Sequence, residues 1–462
     1  MKCLSVCAAI LVVLTALAGA QVNPSSSVEF KIKNVNSGLV LGISGGSYTA
    51  GTSLVQWADN GTTDHLWHFL PNGTSGQYNI ENMLTHEVIG VSGASKSNGA
   101  QILQWADSGT TDHAWTLSTA ADGNMLIKNV NSGLFLEVAN ANKTNTAVID
   151  QWASTGCTCQ EWQFVNTGTS PYVSPIAVSG SGIFVHDPMM LKSGSTYWLY
   201  GTHNTLADSG NRTSWAADGT GLTPLPTWIS TWNSGSDTWA PDVVSHNSKY
   251  WQYYAVPGPQ GTSHTAAIGL ATATTANSTS WSDQGIVIQS SDSSPYNAID
   301  PNPVQDTSGN WWMAFGSWTD GLYMVPLSTT TGKLANSNQY HLAERAAGIE
   351  GSFVYYNSPY YYLFASINLC CESNSPYRIV VGRSSTVTGP YLDRGGINML
   401  SGGGTIVLST HSNIVGPGGQ SVLADSSGPV LVYHYYDGNN GGTPTLGINN
   451  LGFDSGGWPY VH

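Results

Sequence analysis

The stretch Val185-His-Asp-Pro188, followed by the aromatic run Tyr197-Trp-Leu-Tyr200, begins a pattern that repeats along the rest of the chain. Three further acid-bearing turns appear, and an aromatic, alternating run follows each of them within 8 to 11 residues. The acids are spaced by 55, 58 and 50 residues and are Asp187, Asp242, Asp300 and Glu350. A fifth unit, Gly416-Pro-Gly-Gly419 before Val430-Leu-Val-Tyr-His-Tyr435, lacks the acid.

Five units of about 50 residues, each made of short strands and tight turns, predict a five-bladed β-propeller over 179–462. The innermost strand of every propeller blade runs along the central axis, so equivalent positions of successive blades converge. We therefore expect the four acids to meet in one funnel. Asp-Pro and Pro-Asp pairs are also ordinary turn chemistry. Four acids on one rhythm, in a chain with only 9% charged residues, favour a functional site instead.

The N-terminal part of the chain carries a different repeat, of three units. Asn34-Val-Asn-Ser-Gly-Leu39 recurs almost unchanged at 129–134, and a weaker copy begins at Asn82. One Gln-Trp pair follows in each unit, at 56–57, 104–105 and 151–152. A single unit cannot bury its apolar face alone, whereas three can close into a three-lobed β structure.

Composition and charge narrow the class of protein. Residues 1–20 have the features of a secretory signal, with Lys2, an apolar core over 8–17 and small residues at Ala18-Gly-Ala20. The apolar run is shorter than the roughly 20 residues of a membrane span. The formal net charge of -14 argues against nucleic acid as a partner. Few charges, 53 Gly and 17 Trp predict an all-β secreted protein, and the Ser/Thr/Pro-bearing stretch 167–178 predicts a linker.

Four cysteines lie beyond the signal, as one Cys-x-Cys and one vicinal pair: Cys157, Cys159, Cys370 and Cys371. Neither pair has a second Cys or His cluster beside it at the spacing of a zinc site. In an oxidising compartment each pair can close on itself, or the two pairs can bridge the domains. Five sequons predict glycosylation in a host that glycosylates, at Asn60, Asn72, Asn142, Asn211 and Asn277.

A cluster of carboxyl groups suits glycoside hydrolysis, in which one group protonates the departing oxygen while another acts as base or nucleophile. Different surroundings make one of them an acid and the other a base at the same pH. Rival chemistries have little support. Gly42-Ile-Ser-Gly-Gly46 matches a nucleophile string, but it lies in the threefold repeat with no helix after it. Gly402-Gly-Gly404 lacks the Lys of a phosphate-binding loop.

With these repeats, residues 28–166 resemble the ricin-B-type β-trefoil, also known as a family 13 carbohydrate-binding module. That family ends each repeat with Gln-x-Trp and mostly buries the tryptophan in its core. The matching residues here are Trp67, Trp115 and Trp162. Sugar-binding repeats of the family usually carry an Asp where this chain has Gly42, Gly90 and Glu137, so the resemblance leaves the third repeat as the lectin site. Its candidate residues are Glu137, Gln151 and Trp152.

The acids and their surroundings resemble glycoside hydrolase family 43, and within it the arabinanase-like members, over about 176–462. The resemblance rests on a series of motifs in the right order. They are Val185-His-Asp-Pro188, Trp239-Ala-Pro-Asp-Val243, Ala298-Ile-Asp-Pro301, Phe315-Gly-Ser-Trp318, Glu350-Gly351, Cys370-Cys371, Tyr377-Arg-Ile-Val-Val-Gly-Arg-Ser384, Gly389-Pro-Tyr391, Gly416-Pro-Gly418 and Tyr433-His-Tyr-Tyr-Asp437. The chain departs from arabinanase-like relatives at Trp318-Thr319, Gly351-Ser352 and Gly419, which leaves the substrate and the cutting mode open.

The resemblance implies an inverting glycoside hydrolase with three catalytic carboxyl groups. Asp187 is then the general base that activates water, and Glu350 is the general acid that protonates the leaving oxygen. Asp300 raises the pKa of the acid and orients it. A single inverting displacement needs a base–acid separation of roughly 6.5–9.5 Å to admit the water.

Five further residues are implied in the same site. Asp242 is expected to hold substrate or tune charge, and Arg383 to bind substrate. Trp239 and Trp318 are expected either to stack on sugar or to pack in the core. His434 occupies the place where arabinanase-like relatives have a His beside an axial metal, commonly calcium. Calcium prefers oxygen ligands, so waters would complete the shell.

The predicted function is that of a secreted endo-acting α-1,5-L-arabinanase whose trefoil tethers it to plant cell-wall polysaccharide and so raises the local substrate concentration. The alternative is an exo-acting arabinofuranosidase, β-xylosidase or β-1,3-galactanase of the same fold. A secreted lectin with a dead propeller is a third possibility, which predicts loss of an axial acid. The expected partner is the polysaccharide, with no nucleic acid and no membrane, and the chain is expected to be a monomer.

Overall fold

The computed structural model describes residues 24–233, 237–258 and 264–462, so the predicted signal at 1–20 lies outside the described residues. The described part is built almost entirely of strands, in two domains. None of its helices is both long enough and apolar enough to cross a membrane. The predicted all-β class, a β-trefoil followed by a five-bladed propeller, is confirmed.

The trefoil contains twelve strands in its described residues. They are β1 (Phe30–Asn34), β2 (Val40–Ile43), β3 (Leu54–Trp57), β4 (Trp67–Pro71), β5 (Gln77–Asn82), β6 (Val88–Val91), β7 (Ala100–Trp105), β8 (Trp115–Thr119), β9 (Met125–Asn129), β10 (Phe135–Val138), β11 (Ile149–Trp152) and β12 (Trp162–Asn166). Short 3-10 helices separate several of them, at Ser44–Gly46, Thr63–His65, Ser92–Ala94, Thr111–His113, Ala139–Ala141 and Thr158–Gln160.

Six of these strands close a barrel, in the pairing order β1-β4-β5-β8-β9-β12 and back to β1. The remaining strands form three hairpins, β2-β3, β6-β7 and β10-β11. The three repeat tryptophans are fully buried. Each indole donates to a carbonyl of its own repeat, Trp67 to Leu41 at 3.0 Å and Trp115 to Ile89 at 3.1 Å, and Trp162 does the same. These tryptophans therefore join each hairpin to the barrel, and their burial is what the resemblance implies.

The propeller contains five four-stranded sheets in the described residues. They consist of β13 (Met189–Ser193), β14 (Thr196–Gly201), β15 (Thr205–Ser209) and β16 (Ala216–Thr220); β17 (Trp239–His246), β18 (Lys249–Pro257), β19 (Ala266–Ala273) and β20 (Ser282–Ser290); β21 (Asn302–Gln305), β22 (Trp311–Phe315), β23 (Leu322–Leu327) and β24 (Tyr340–Ala343); β25 (Ile349–Asn357), β26 (Tyr360–Ile367), β27 (Arg378–Ser384) and β28 (Thr405–Leu408); and β29 (Ile414–Asp425), β30 (Gly428–Asp437), β31 (Thr443–Phe453) and β32 (Pro459–Val461). One α-helix, α1 (Thr227–Asn233), precedes β17, and a 3-10 helix spans Met399–Ser401.

Each blade is an antiparallel meander in chain order, and the first strand of every blade lies at the axis. The ring closes between the fifth and first blades, where Val430 and Val432 of β30 pack with Leu199 of β14. Irregular pairing interrupts the axial strands close to the acids, between Trp239 and Asp242 in β17 and after Glu350 in β25. Bulges of this kind re-aim side chains and are common beside active sites.

The two domains are packed against each other rather than joined by a free linker. Tyr172, within the predicted linker at 167–178, is buried and donates a 2.5 Å hydrogen bond to Glu81 of the trefoil. A few residues later, the backbone N–H of Ile176 donates to the carbonyl of Ile448 in β31. Both cysteine pairs close on themselves, Cys157 with Cys159 and Cys370 with Cys371.

Candidate active site

The four acids converge at the propeller axis. Asp187 and Asp300 end the loops that lead into β13 and β21, whereas Asp242 lies within β17 and Glu350 within β25. A cavity of about 40 Å³ on the axis is lined by three of them and by small or polar residues of the other blades, including Asp187, Asp242, Asp300, Gly351, Gly419, Gln420 and Ser421. Asp187 and Asp300 both have positive φ, at 49° and 56°. Positive φ is uncommon for non-glycine residues and concentrates at functional sites.

Asp187 is surrounded by groups that favour its ionised form. Thr202 donates its hydroxyl to Oδ2 at 2.5 Å, and the His186 ring lies 3.7 Å from the same oxygen. Burial by itself would raise the pKa of Asp187, but His186 and Thr202 override it and hold that pKa well below its usual range. The surroundings of the predicted base therefore favour its ionised form.

Glu350 has the opposite balance. Ser317 donates to Oε2 and Tyr377 donates to Oε1, both at 2.8 Å. These hydrogen bonds favour the carboxylate, but burial outweighs them and raises the pKa of Glu350, and the negative charge of Asp187 adds to the rise. The predicted acid therefore keeps its proton to a higher pH than an ordinary glutamate.

Asp300 contacts the backbone beside the predicted acid rather than its carboxyl group. The backbone N–H of Gly351, next to Glu350, donates to Asp300 Oδ2 at 2.9 Å, and the Ser352 hydroxyl donates to the Asp300 carbonyl at 3.3 Å. Burial and the charges of Glu350 and Asp187 raise the pKa of Asp300 well above its usual value. Asp300 thus fixes the backbone that carries the acid, and its charge state is coupled to that of the acid.

Asp242 is more deeply buried than the other three acids. Its side chain is buried on the axis, and Asn302 donates to Oδ2 at 2.7 Å. Burial raises the pKa of Asp242 to about 7. Because the carboxyl group is enclosed, only the second predicted role, tuning charge along the axis, is compatible with its position.

The two tryptophans of the predicted site differ in exposure. Trp318 is 39% exposed and lies against Gly348, two residues before Glu350. It therefore presents an aromatic face beside the acid, as a sugar-stacking residue requires. Trp239 is half-buried, packs against the cluster of Ala255, Ala266 and Ile299, and donates its indole N–H to Asp237 at 2.7 Å. Core packing is the better description of Trp239.

Arg383 does not belong to the site. In the register of the fourth blade, Glu350 pairs with Ser366 at one end of β26, whereas Arg383 pairs with Tyr362 at the other end. Its guanidinium stacks over Tyr360 and Trp458, at 4.4 and 4.3 Å from their ring centroids. The structure therefore does not bring Arg383 together with the four acids, because it lies at the opposite end of the blade from Glu350.

His434 lies beside Asp187 as the resemblance implies, but it does not fit as a direct calcium ligand. Its Nδ1 accepts the backbone N–H of Asp187 at 3.1 Å, and Nε2 faces the Tyr436 hydroxyl at 3.3 Å. His186, Asp187 and His434 form a metal-sized group, but two of the three offer nitrogen, whereas calcium takes oxygen ligands. Burial also lowers the pKa of His434 to about 3, so the ring is neutral. Calcium at the axis stays a prediction.

Several residues of the site were not predicted as functional. Ser317 and Tyr377 occur inside quoted motifs, but nothing in the sequence shows that both reach Glu350. Thr202 carries no signal at all, because it follows the aromatic strand β14 as an ordinary loop residue. Gly419 was noted only as a departure. It has φ 55°, and a Cβ there would lie 2.4 Å from Asp187 Oδ1, so glycine is required by the approach of the predicted base.

The third trefoil repeat is a poor lectin site. Gln151 is fully buried, and its amide donates to the carbonyls of Ser95 and Ser97 in the second repeat. Gln56 and Gln104 make the same contacts to their neighbouring repeats, so this glutamine holds the repeats together. Glu137 is buried and accepts a 2.8 Å hydrogen bond from Gln160. The residues left for a ligand reduce to Trp152, which is 39% exposed.

A larger cleft, of about 670 Å³, lies in the first repeat. Its walls include Trp57, which is 36% exposed, and the side chains of Asp64 and His65. His65 is buried, and its Nδ1 has no hydrogen-bond partner among the described residues. A Cβ on Gly42 would lie 2.5 Å from this ring. The space that the side chain of an Asp at 42 would need is therefore occupied by the ring of His65.

Both domains match known protein families. Residues 181–459 match the glycosyl hydrolases family 43, and residues 21–105 and 111–187 match the ricin-type beta-trefoil lectin domain-like family. An extracellular endo-alpha-(1->5)-L-arabinanase of Bacillus subtilis (strain 168) is 41% identical over 291 residues, which cover 60% of this chain and 88% of that protein.

Two solved structures extend the comparison. A GH43 endo-arabinanase from Bacillus licheniformis is 38% identical with a TM-score of 0.58, and covers 62% of this chain and 99% of its own. An exo-1,5-alpha-L-arabinanase from a bovine ruminal metagenomic library is 32% identical with the same TM-score of 0.58 and the same coverage, 62% and 99%. Fold and site together define a glycoside hydrolase. The chain belongs to glycosyl hydrolase family 43.

Proposed function

We propose that this chain is an inverting endo-1,5-α-L-arabinanase. The observation that carries the proposal is the meeting, in one axial funnel, of Asp187 with a lowered pKa and Glu350 with a raised one. Inverting hydrolysis needs one ionised and one protonated carboxyl group at the same pH. The α-1,5 linkage is supported by the named activity of the B. subtilis protein at 41% identity. The internal mode of cleavage is supported by that name and by the endo-arabinanase of B. licheniformis at 38% identity.

In the proposed reaction Asp187 accepts a proton from a water molecule. The oxygen of that water attacks the anomeric carbon of an arabinofuranosyl unit at the same time. Glu350 donates its proton to the glycosidic oxygen as the bond from that oxygen to the anomeric carbon breaks. Attack from the face opposite the leaving group inverts the anomeric centre. Glu350 ends as a carboxylate, which the hydroxyls of Ser317 and Tyr377 stabilise, and Asp187 ends protonated. Proton exchange with solvent restores both.

The mode of cleavage is tested by product analysis on debranched arabinan, with galactan and xylan in parallel. We expect a ladder of arabino-oligosaccharides from the first polymer alone. Release of a single sugar or of one short fixed unit would support the exo-acting alternative. A specific observation favours testing it, because an exo-arabinanase structure is 32% identical to this chain. Absence of product from all three polymers would support the lectin, although all three predicted catalytic acids are present.

The pH dependence follows from the contacts of Glu350. The acid must be protonated, so kcat/KM falls as the pH rises through its raised pKa, whereas Asp187 stays ionised far into the acid range. Tyr377 stabilises the carboxylate, so Tyr377→Phe is expected to raise the pKa of Glu350 further and to move the alkaline limb of the kcat/KM profile to higher pH. A limb that stays in place or moves to lower pH would contradict the assignment of Glu350.

We infer that the trefoil binds polysaccharide through the cleft of the first repeat. Replacing the exposed Trp57 with alanine is expected to weaken binding to insoluble arabinan about tenfold, which corresponds to about 1.4 kcal/mol. Turnover of short soluble arabino-oligosaccharides is expected to stay unchanged, because the cleft is remote from the axis. Trp152→Ala is the matched control, since it removes an equally exposed indole from the third repeat. The opposite pattern would return the site to the third repeat.

An extracellular location belongs to the same proposal. Arabinan is a polymer that does not cross membranes, and the B. subtilis relative is named as extracellular. Fractionation of a culture of the source organism, followed by activity on arabinan, tests it. Activity confined to the cells would contradict it.

A further inference from the structure

A buried carboxylate of the trefoil is inserted into the propeller. Asp107, which follows β7 in the second repeat, is 2% exposed. Its Oδ1 lies 3.1 Å from Arg345 Nη2, and its Oδ2 lies 3.1 Å from Arg378 Nη1. Arg378 belongs to β27 of the fourth blade, Arg345 lies in the loop between β24 and β25, and both are buried. Among the described residues, neither arginine forms an ion pair with another acid, so the trefoil supplies the counter-charge for both.

The two arginines flank the predicted acid on both of its supporting segments. Arg345 lies five residues before Glu350, and its carbonyl accepts the backbone N–H of Gly348, against which Trp318 packs. Arg378 directly follows Tyr377, whose hydroxyl donates to Glu350 at 2.8 Å. One trefoil carboxylate thus bridges the segment that carries Glu350 and the strand that carries its hydrogen-bond donor.

The ion pairs withstand the burial. Burial by itself would raise the pKa of Asp107, but Arg345 and Arg378 lower it to about 2, so the carboxylate stays charged. Second contacts hold the arginines in place. Arg378 Nη2 donates to Asn79 of the trefoil at 3.4 Å, and Arg345 Nη2 donates to Asn368 at 3.5 Å. Losing one partner of such a buried group leaves uncompensated charge that the surroundings must move to solvate.

We propose that Asp107 is a positioning residue for the hydrolysis, which holds Tyr377 and the Glu350 segment in register through Arg378 and Arg345. The inference rests on the proposed function, because it assigns Glu350 as the acid. It makes the trefoil part of the catalytic scaffold as well as a polysaccharide-binding domain. Some other contacts between the domains lie away from the acid. Glu87, for example, faces Gly395 in the loop before β28.

The test is Asp107→Asn in the full chain, which keeps the shape and removes the charge. We expect kcat on debranched arabinan to fall about 10- to 100-fold, since small displacements of catalytic groups cost this much, with KM changed less than about twofold. We also expect the alkaline limb of kcat/KM to move to higher pH, as in Tyr377→Phe, because the hydrogen bond to Glu350 is weakened. In the Tyr377→Phe background, Asp107→Asn should shift the limb no further.

The matched control is Glu87→Gln, at another buried trefoil carboxyl group that meets the propeller away from the acid. It should leave kcat and the pH profile unchanged. Equal losses in both variants would show that Asp107 only joins the domains. A limb displaced to lower pH would also overturn the proposal, because unpaired arginines acting through their charge alone would favour the Glu350 carboxylate.

A second variant covers failure of Asp107→Asn to fold, which a melting curve would reveal. Asn79→Ala removes the other trefoil contact of Arg378 and should move kcat and the pH limb in the same direction by a smaller amount. The outcomes separate the two proposals.

Full activity of Glu350→Gln would reject Glu350 as the acid. If Glu350→Gln is inactive but Asp107→Asn and Asn79→Ala both keep the wild-type kcat and pH profile, only the positioning role is rejected.

Discussion

Glu350→Gln is expected to lower kcat/KM on debranched arabinan by about 10²–10⁴-fold, the usual contribution of a general acid. Glutamine cannot supply the proton that the departing sugar oxygen needs. It keeps a carbonyl oxygen to accept from Ser317 or Tyr377, so the fold should survive. The measurement is initial rates on the polymer and on an aryl arabinoside whose phenol leaves without protonation. The loss should be much smaller on the aryl substrate.

Asp242→Asn is the comparison for Glu350→Gln, because it changes another acid of the same axis that is only 3% exposed and is hydrogen-bonded to Asn302. We expect it to keep most of the polymer activity. Equal losses on the polymer and the aryl substrate in Glu350→Gln would contradict a role in leaving-group protonation. A variant that retains more than a tenth of the wild-type rate on the polymer would exclude Glu350 as the acid.

Asp187→Asn is expected to cost a similar factor, about 10²–10⁴-fold, for the complementary reason that nothing accepts the proton of the attacking water. Here a good leaving group should not help. Added azide, which needs no deprotonation, should restore turnover and yield an arabinosyl azide of inverted configuration. The products are identified by NMR of the anomeric proton.

The asparagine variant keeps an oxygen that can accept from Thr202 but loses the charge that His186 favours, so a melting curve must show that it is folded at the assay temperature. An azide product of retained configuration would contradict the single displacement and favour a covalent intermediate. Rescue of Asp187→Asn by leaving-group activation, rather than by azide, would exchange the roles assigned to the two carboxyl groups.

The acids of the site were predictable because propeller symmetry turns sequence spacing into spatial convergence. Asp187, Asp242, Asp300 and Glu350 occupy corresponding places in the first four blades, so a period of 50 to 58 residues was sufficient to bring them together. Arg383 was implied by the resemblance rather than by the period, and it lies on the third strand of its blade, where the period gives no information about which end faces the funnel. The period was also insufficient for Asp242, because it does not show how deeply a side chain is buried along the axis.

The trefoil shows the same division. The Gln-Trp pairs and the repeat tryptophans predicted a threefold β structure, and the structure confirms it. Gln151 was interpreted as a ligand-binding residue, but in the structure its amide forms hydrogen bonds that connect two repeats. A glutamine at such a position is compatible with either role in sequence, and only the neighbouring carbonyls of Ser95 and Ser97 distinguish them.

The sequence by itself determined the two architectures, the family and the convergence of the acids, because each depends on a period along the chain. The tertiary structure alone decided which acid is ionised, because burial and the contacts of Thr202, Ser317 and Tyr377 depend on how strands pack. These residues lie 15, 33 and 27 positions from the acids that they contact. It alone placed Asp107 of the trefoil between Arg345 and Arg378. Contacts across more than 200 residues follow from how two separately closed domains pack, and no repeat in either domain encodes that packing.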